Sequence, residues 1–286
     1  MFYHVKELQY RAVPERPDPV YARKLQEVLG GQFGEISVAM QYLFQGWGTR
    51  GEGKYKDLLM DTGAEELAHI EMLATMIARL LDNAPEVDLD QAVDNPVVAA
   101  ILGGTNPQHA IVSGLAAMPS DSIGNRWTAD YIIASGNLLA DFRANLNAES
   151  QGRLQVVRLY EETDDRGVKD MLSWLIARDT MHQNQWIAAI HELEEEQGGI
   201  VVPVTFPHEL EKQEVSYTLF NYSAGNDSAK GRWAYGPAPD GHGVFNYVEH
   251  PQPHGGKPVL SPAPLWVHDT PLDLLNVKGR PDPDLK

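Results

Sequence analysis

From Pro19 onward the chain carries four long stretches in which apolar residues recur every three or four positions. Leu25, Val28, Leu29, Gln32, Ile36, Ala39, Leu43 and Trp47 form the first stripe, the spacing of one face of an amphipathic helix, which Gly48 and Gly51 end. The second spans Gly53 to Asn83 through Leu59, Thr62, Glu66, His69, Leu73, Met76 and Leu80. The third runs from Ala129 to Tyr160 through Ile132, Leu138, Leu139, Phe142, Leu146 and Glu149. After a turn-like stretch from Glu161 to Gly167, the fourth extends from Val168 to Gln197 through Leu172, Leu175, Asp179, His182, Trp186 and Ala189. Residues 84–128, with Pro85, Pro96, Gly103, Gly104, Pro107 and Pro119, have no sustained period and read as a long crossover.

The pattern predicts an all-α protein. Residues 19–197 are expected to form a four-helix bundle whose long middle connection is of the ferritin-like kind. Residues 1–18, with Pro14 and Pro17, read as an extended N-terminal arm. Residues 198–286 hold 12 of the 19 prolines and too few periodic apolar positions for a large core of their own. That irregular, mostly non-helical tail is expected to wrap the bundle or a neighbouring subunit.

Composition narrows the possible partners. A chain of 286 residues, 43% of them hydrophobic, can bury a sizeable core. Forty acids against 23 basic residues give a net charge of −17, which argues against binding to nucleic acid or anionic membranes. No apolar run approaches the ~20 residues of a spanning helix. The charged opening is unlike a signal peptide, so a cytoplasmic location is expected. The absence of cysteine removes disulfides, thiolate metal sites and thiol nucleophiles together.

The four stripes also carry charge on their inward lines. Glu35 comes from the first, Glu66 and His69 from the second, Glu149 from the third and His182 from the fourth. Glu66 and His69 are three residues apart and share a helix face. One Glu-x-x-His is weak evidence, but an ionisable group on the apolar face of every helix is not. Three carboxylates buried without compensation would be very unfavourable, and two divalent ions would offset that. Carboxylate oxygen and imidazole nitrogen suit manganese or iron. Dinuclear carboxylate bundles use a Glu from each of two helices and a Glu-x-x-His pair from each of the others. Here the fourth helix departs, with Asp179-x-x-His182, an acid too short to reach the ion. Glu65, Glu71, Glu161 and the acids of Glu192 to Glu196 read as solvated, and His191 as surface. His4, His109, His208, His242, His250, His254 and His268 lie in arms or loops.

The opening MFYHVKELQY, GQFGEISVAMQYLFQ around Glu35, EELAHIEM around Glu66 and His69, and Asn147-Ala148-Glu149-Ser150 together resemble the manganese catalases of the ferritin-like superfamily, over most of the chain. The resemblance implies a dimanganese site with Glu35, Glu66, His69, Glu149 and His182 as ligands and Glu66 as a bridge. It implies disproportionation of hydrogen peroxide with the pair cycling between Mn(II)2 and Mn(III)2, and Tyr42 as a hydrogen-bond partner beside the site. Some members place an arginine before the third-helix glutamate and a glutamate three before the last histidine, as a gate; here these are Ala148 and Asp179. Arg143, Arg153 and Lys169 are the candidates to rebuild it. A calcium site at Asp57, Asp61, Asn221, Ser223 and Gly225, and a homohexamer, are implied in the same way. A di-iron oxidase or ferroxidase on the same bundle, or a non-enzymatic structural or metal-storage relative, is the alternative.

Overall fold

The computed structural model describes residues 4–50, 53–82, 104–261, 263–264 and 267. Residues 84–103 of the expected crossover, Gly51 and Asn83 at the expected helix ends, and His268 lie outside these. The chain divides into two units, residues 1–203 and 204–286.

In the first unit the long helices are α1 (Pro19–Gly30), α2 (Glu35–Gly48) and α3 (Gly53–Leu81). A short α4 (Gln108–Ile111) follows, then α5 (Leu138–Glu161) and α6 (Arg166–Gln197). The first predicted helix is thus two. Its apolar period runs unbroken through Gly31–Gly34, but the backbone there is crowded. A Cβ at Gly30 would lie 2.4 Å from the Ser120 carbonyl oxygen, and one at Gly34 within 2.9 Å of the Leu29 carbonyl. The Gly31 carbonyl instead accepts from the Gly34 amide and the Ser37 hydroxyl. Gln32 and Trp47, expected inside the stripe, are exposed. The third helix begins at Leu138 rather than Ala129, because Asn137 caps it through the Ala140 amide. Ala129–Tyr131 forms a separate 3-10 turn capped by Thr128, so Ile132 lies outside the helix. The fourth starts at Arg166, where the Asp165 side chain accepts from the Gly167 and Val168 amides.

Two apolar layers hold these helices in register. One contains Val28 and Leu29, Met72 to Leu80 of α3, Val156 of α5, and Leu172 and Leu175 of α6. The other contains Val38 and Tyr42 of α2, Leu59 of α3, Phe142 of α5 and Trp186 of α6. Reading each helix from layer to layer shows that α2 is antiparallel to α3 and α5 to α6, while α3 and α5 run the same way. The crossover must therefore return along the bundle. It does so beside α1 and α2: Gln26 bonds the Met118 and Ser120 carbonyls at 2.6 and 2.8 Å, the Trp127 indole N–H donates to Ser37 at 3.0 Å, and Gln45 bonds the Ile133 carbonyl at 2.7 Å.

Among its described residues the N-terminal arm has no regular structure but is held by side chains. Tyr10 stacks on Trp174 at 4.5 Å, Arg11 pairs with Asp170 at 2.6 Å, and Arg79 donates to the Ala12 carbonyl at 2.6 Å. The second unit is not wholly irregular. β1 (Thr218–Phe220) pairs in parallel with β3 (Val244–Val248), and β2 (Gly236–Pro237) pairs antiparallel to β3, giving the order β1-β3-β2.

The arm supplies a test of this packing. A Cβ at Gly167 would sit 1.9 Å from the Val13 carbonyl oxygen. Gly167→Ala is therefore expected to displace the arm, destabilise the protein by about 1–3 kcal/mol and speed proteolytic cleavage before Pro19. Urea unfolding and limited proteolysis read both effects.

Candidate metal centre

Between the two apolar layers lies one polar layer about a helical turn deep. α3 supplies Glu66 and His69, three residues apart on its inner face and both essentially without solvent contact; α6 supplies His182, α5 Glu149 and α2 its first residue, Glu35. The break at Gly31–Gly34 thus sets the position of a candidate ligand. Potential donor atoms of Glu35, Glu66 and His69 lie within 4.8 Å of one another, as do those of Glu66, Glu149 and His182. Glu66 is common to both groups.

Hydrogen bonds account for only some of the contacts within this layer. Glu66 Oε1 and His182 Nδ1 are 2.8 Å apart, yet both lack a hydrogen bond among the described residues. Glu66 Oε2 meets His69 Nδ1 at 2.7 Å, and Glu35 lies 3.9 Å from the same nitrogen. Carboxylate oxygens and imidazole nitrogens thus point at a shared space. Such unsatisfied buried atoms are strongly disfavoured without a further partner. The donor set, three carboxylates and two imidazoles, fits a pair of hard to borderline divalent ions.

Electrostatics separates the acids. Burial, and then Glu66, push the Glu35 carboxyl well above the usual range. Burial and Glu66 also raise Glu149, and burial with Glu149 holds Asp179 well above the usual range. Burial also acts on Glu66, but His69 and His182 outweigh it and hold that carboxyl low. Burial would lower both histidines, yet the facing Glu66 raises them. The layer is a mutually dependent set of charges with Glu66 at its centre.

Neighbouring groups orient the acids. The Tyr42 hydroxyl donates to Glu149 Oε1. One turn before Glu149, Asn145 exchanges hydrogen bonds with Gln41 and Gln45 of α2 at 2.7 to 2.9 Å. A small cavity, partly open to solvent, reaches the layer between α1, α2, α5 and α6. Its walls are Val28, Phe33, Val38, Ala148, Gly152 and Val156, with Glu35, Glu149 and Asp179 exposed to it. Asp179 Oδ2 has no hydrogen-bond partner among the described residues.

A family model described as manganese containing catalase matches residues 1–281. The chain belongs to the manganese-containing catalase family. It is 66% identical over 270 residues to a manganese catalase of Bacillus subtilis, covering 94% of this chain and 98% of that protein. It is 68% identical over 271 residues to the uncharacterized protein YjqC of Bacillus subtilis strain 168, with the same two coverages. Among solved structures, KatB, a manganese catalase from Anabaena, matches with a TM-score of 0.67 and 28% identity over 88% of this chain and all of that one. The bundle is accordingly the ferritin-like fold of the manganese catalases.

The structure thus brings together Glu35, Glu66, His69, Glu149, His182 and Tyr42. Asp57 and Asp61 are exposed on α3. In the second unit Asn221 Oδ1 accepts the Ser223 amide and its Nδ2 donates to the Gly225 carbonyl, so these three close a turn on themselves. The side chains considered for rebuilding a gate have other partners: Arg143 on Glu194 and the Ile200 carbonyl, Arg153 on Thr180, Lys169 over the Tyr160 ring. Two residues read as solvated or loop-bound are neither. Glu65 is largely covered, between His182, Arg178 and Gln9; its position four residues before His69 was the available signal. His109 is buried against Gln26, and burial with the Arg23 charge lowers its pKa.

One expectation follows for the metal-free protein. Glu35→Gln removes, without changing side-chain size, a carboxyl that burial and Glu66 oblige to take up a proton on folding. It should stabilise the metal-free form by on the order of 1 kcal/mol while weakening metal retention. Thermal unfolding after chelation, beside metal analysis of the untreated variant, measures the two effects.

Proposed function

We propose that the chain disproportionates hydrogen peroxide, 2 H2O2 → 2 H2O + O2, at two manganese ions held by Glu35, Glu66, His69, Glu149 and His182. The observation that carries this reading is the sharing of Glu66 between two three-residue donor groups, which suits a bridge between adjacent ions. Bound manganese would supply two one-electron exchanges per peroxide, moving between Mn(II)2 and Mn(III)2 and avoiding a free radical. The protein's residues do the rest. Glu66, His69 and His182 set the spacing of the donors, and Tyr42 fixes the orientation of the Glu149 carboxylate. The apolar walls of Val28, Phe33, Val38 and Val156 limit bulk water around the acids.

Calcium as a second cation, a homohexameric assembly and a cytoplasmic location belong to the same proposal and rest on the family resemblance. Among the described residues no helix is long and apolar enough to cross a membrane. The iron-oxidase alternative gains nothing from the site, because the fourth helix offers Asp179 where a second Glu-x-x-His would place a glutamate.

Protein from manganese-supplied cells is expected to contain about two manganese ions per chain and to evolve oxygen from hydrogen peroxide. Glu66→Ala should lower the rate at least a hundredfold and empty both positions. Iron at that stoichiometry, or oxygen evolution that survives Glu66→Ala, would overturn the assignment.

A further inference from the structure

We propose that Glu65 is a positioning residue for both imidazole ligands, one carboxylate that fixes the outward nitrogens of His69 and His182 and so couples the filling of the two metal positions. This rests on the dinuclear reading above and adds a residue that the ligand set does not include.

Consecutive residues on a helix diverge by about 100°, so Glu65 and Glu66 leave α3 in different directions. The two imidazoles stand between them. Glu66 faces the inner nitrogens, at 2.7 Å from His69 Nδ1 and 2.8 Å from His182 Nδ1. Glu65 faces the outer ones, with Oε2 3.2 Å from His182 Nε2 and Oε1 3.6 Å from His69 Nε2. His69 Nε2 has no hydrogen-bond partner among the described residues, and Glu65 Oε1 is the acceptor that faces it. The rings themselves stack, with centroids 5.8 Å apart and planes 28° from parallel.

Glu65 is braced for this task. Arg178 donates from Nε to Oε1 at 2.6 Å and from Nη2 to Oε2 at 3.1 Å, and Gln9 of the arm donates to Oε1 at 3.0 Å. Arg178 lies one turn before His182 on α6. The carboxylate therefore grows from the helix that carries one imidazole and is gripped by the helix that carries the other. An imidazole whose Nε2–H faces an anion presents an unprotonated, more basic Nδ1. Metal-binding histidines commonly have one such acceptor each. With a single acceptor between two rings, a shift of the carboxylate toward one ring alters its hold on the other.

The test titrates metal-free, full-length protein with Mn(II) by calorimetry and by competition with a chelator, with circular dichroism as the folding control. Glu65→Gln should weaken binding at both positions by about 10–100-fold. Arg178→Gln, which removes the ion pair but leaves both imidazole contacts, should cost much less. If Glu65→Gln weakens neither position or only one, or if Arg178→Gln weakens both equally, Glu65 is a brace of the fold and the proposal falls. Should Glu65→Gln not fold, Glu65→Asp keeps the charge while withdrawing it from both rings, and the same two-position loss is expected. Wild-type protein that takes up no manganese would defeat the dinuclear reading itself. Wild type that loads two ions, matched by Glu65→Gln, would defeat only this one.

Discussion

The buried carboxylate of Glu66 sets the terms for the rest of the bundle. It is nearly without solvent contact and has His69 on one side, His182 on the other, and Glu35 and Glu149 beyond them. Taking several acids out of water in one layer is unfavourable unless cations meet them. Two imidazoles meet part of the charge, and the geometry leaves donor atoms aimed at common points where metal ions would meet the remainder. A layer of this kind cannot hold itself together. It is kept in place by the apolar layers above and below it, which fix how far each helix can slide and so whether five donors from four helices arrive at the same level.

That requirement explains features that otherwise look incidental. Because α3 and α5 run in the same direction, a tight turn cannot join them, and the chain returns along α1 and α2. The returning segment satisfies Gln26, Gln41 and Gln45 through its backbone, so the faces of α1 and α2 that it covers can carry buried polar residues. The break between α1 and α2 makes Glu35 the first residue of a helix, where a carboxylate lies near the positive end of the helix dipole.

Much of this was legible in the sequence, and the exceptions have physical causes. Glu66, His69, Glu149 and His182 could be found because helix periodicity alone places them on apolar faces, and their partners occupy the same faces of neighbouring helices. The helix break at Gly31–Gly34 is hidden because the apolar period continues across it, and the Ser120 backbone that packs against Gly30 lies 90 positions away in sequence. Ile132 fits the period of α5 yet lies before its cap, since the Asn137 cap sets the start and the period does not. Glu65 was misread for a related reason. It lies off the apolar stripe, and beyond its i,i+4 relation to His69 its cover comes from Gln9 and Arg178, which are distant in sequence.

The cavity beside Asp179 shows how a shared ligand set can sit in a different setting. With Ala148 and Gly152 on α5 and a short acid on α6, the wall nearest Glu149 carries no cation; Arg143 and Arg153 are engaged elsewhere. With only His69 and His182 opposing them, burial and the charge of Glu149 favour the neutral form of Asp179, which can donate as well as accept a hydrogen bond. An ion-paired acid at the same place could only accept. The donor layer is therefore supplied by α2, α3, α5 and α6, while Ala148, Gly152 and Asp179 line the approach to it.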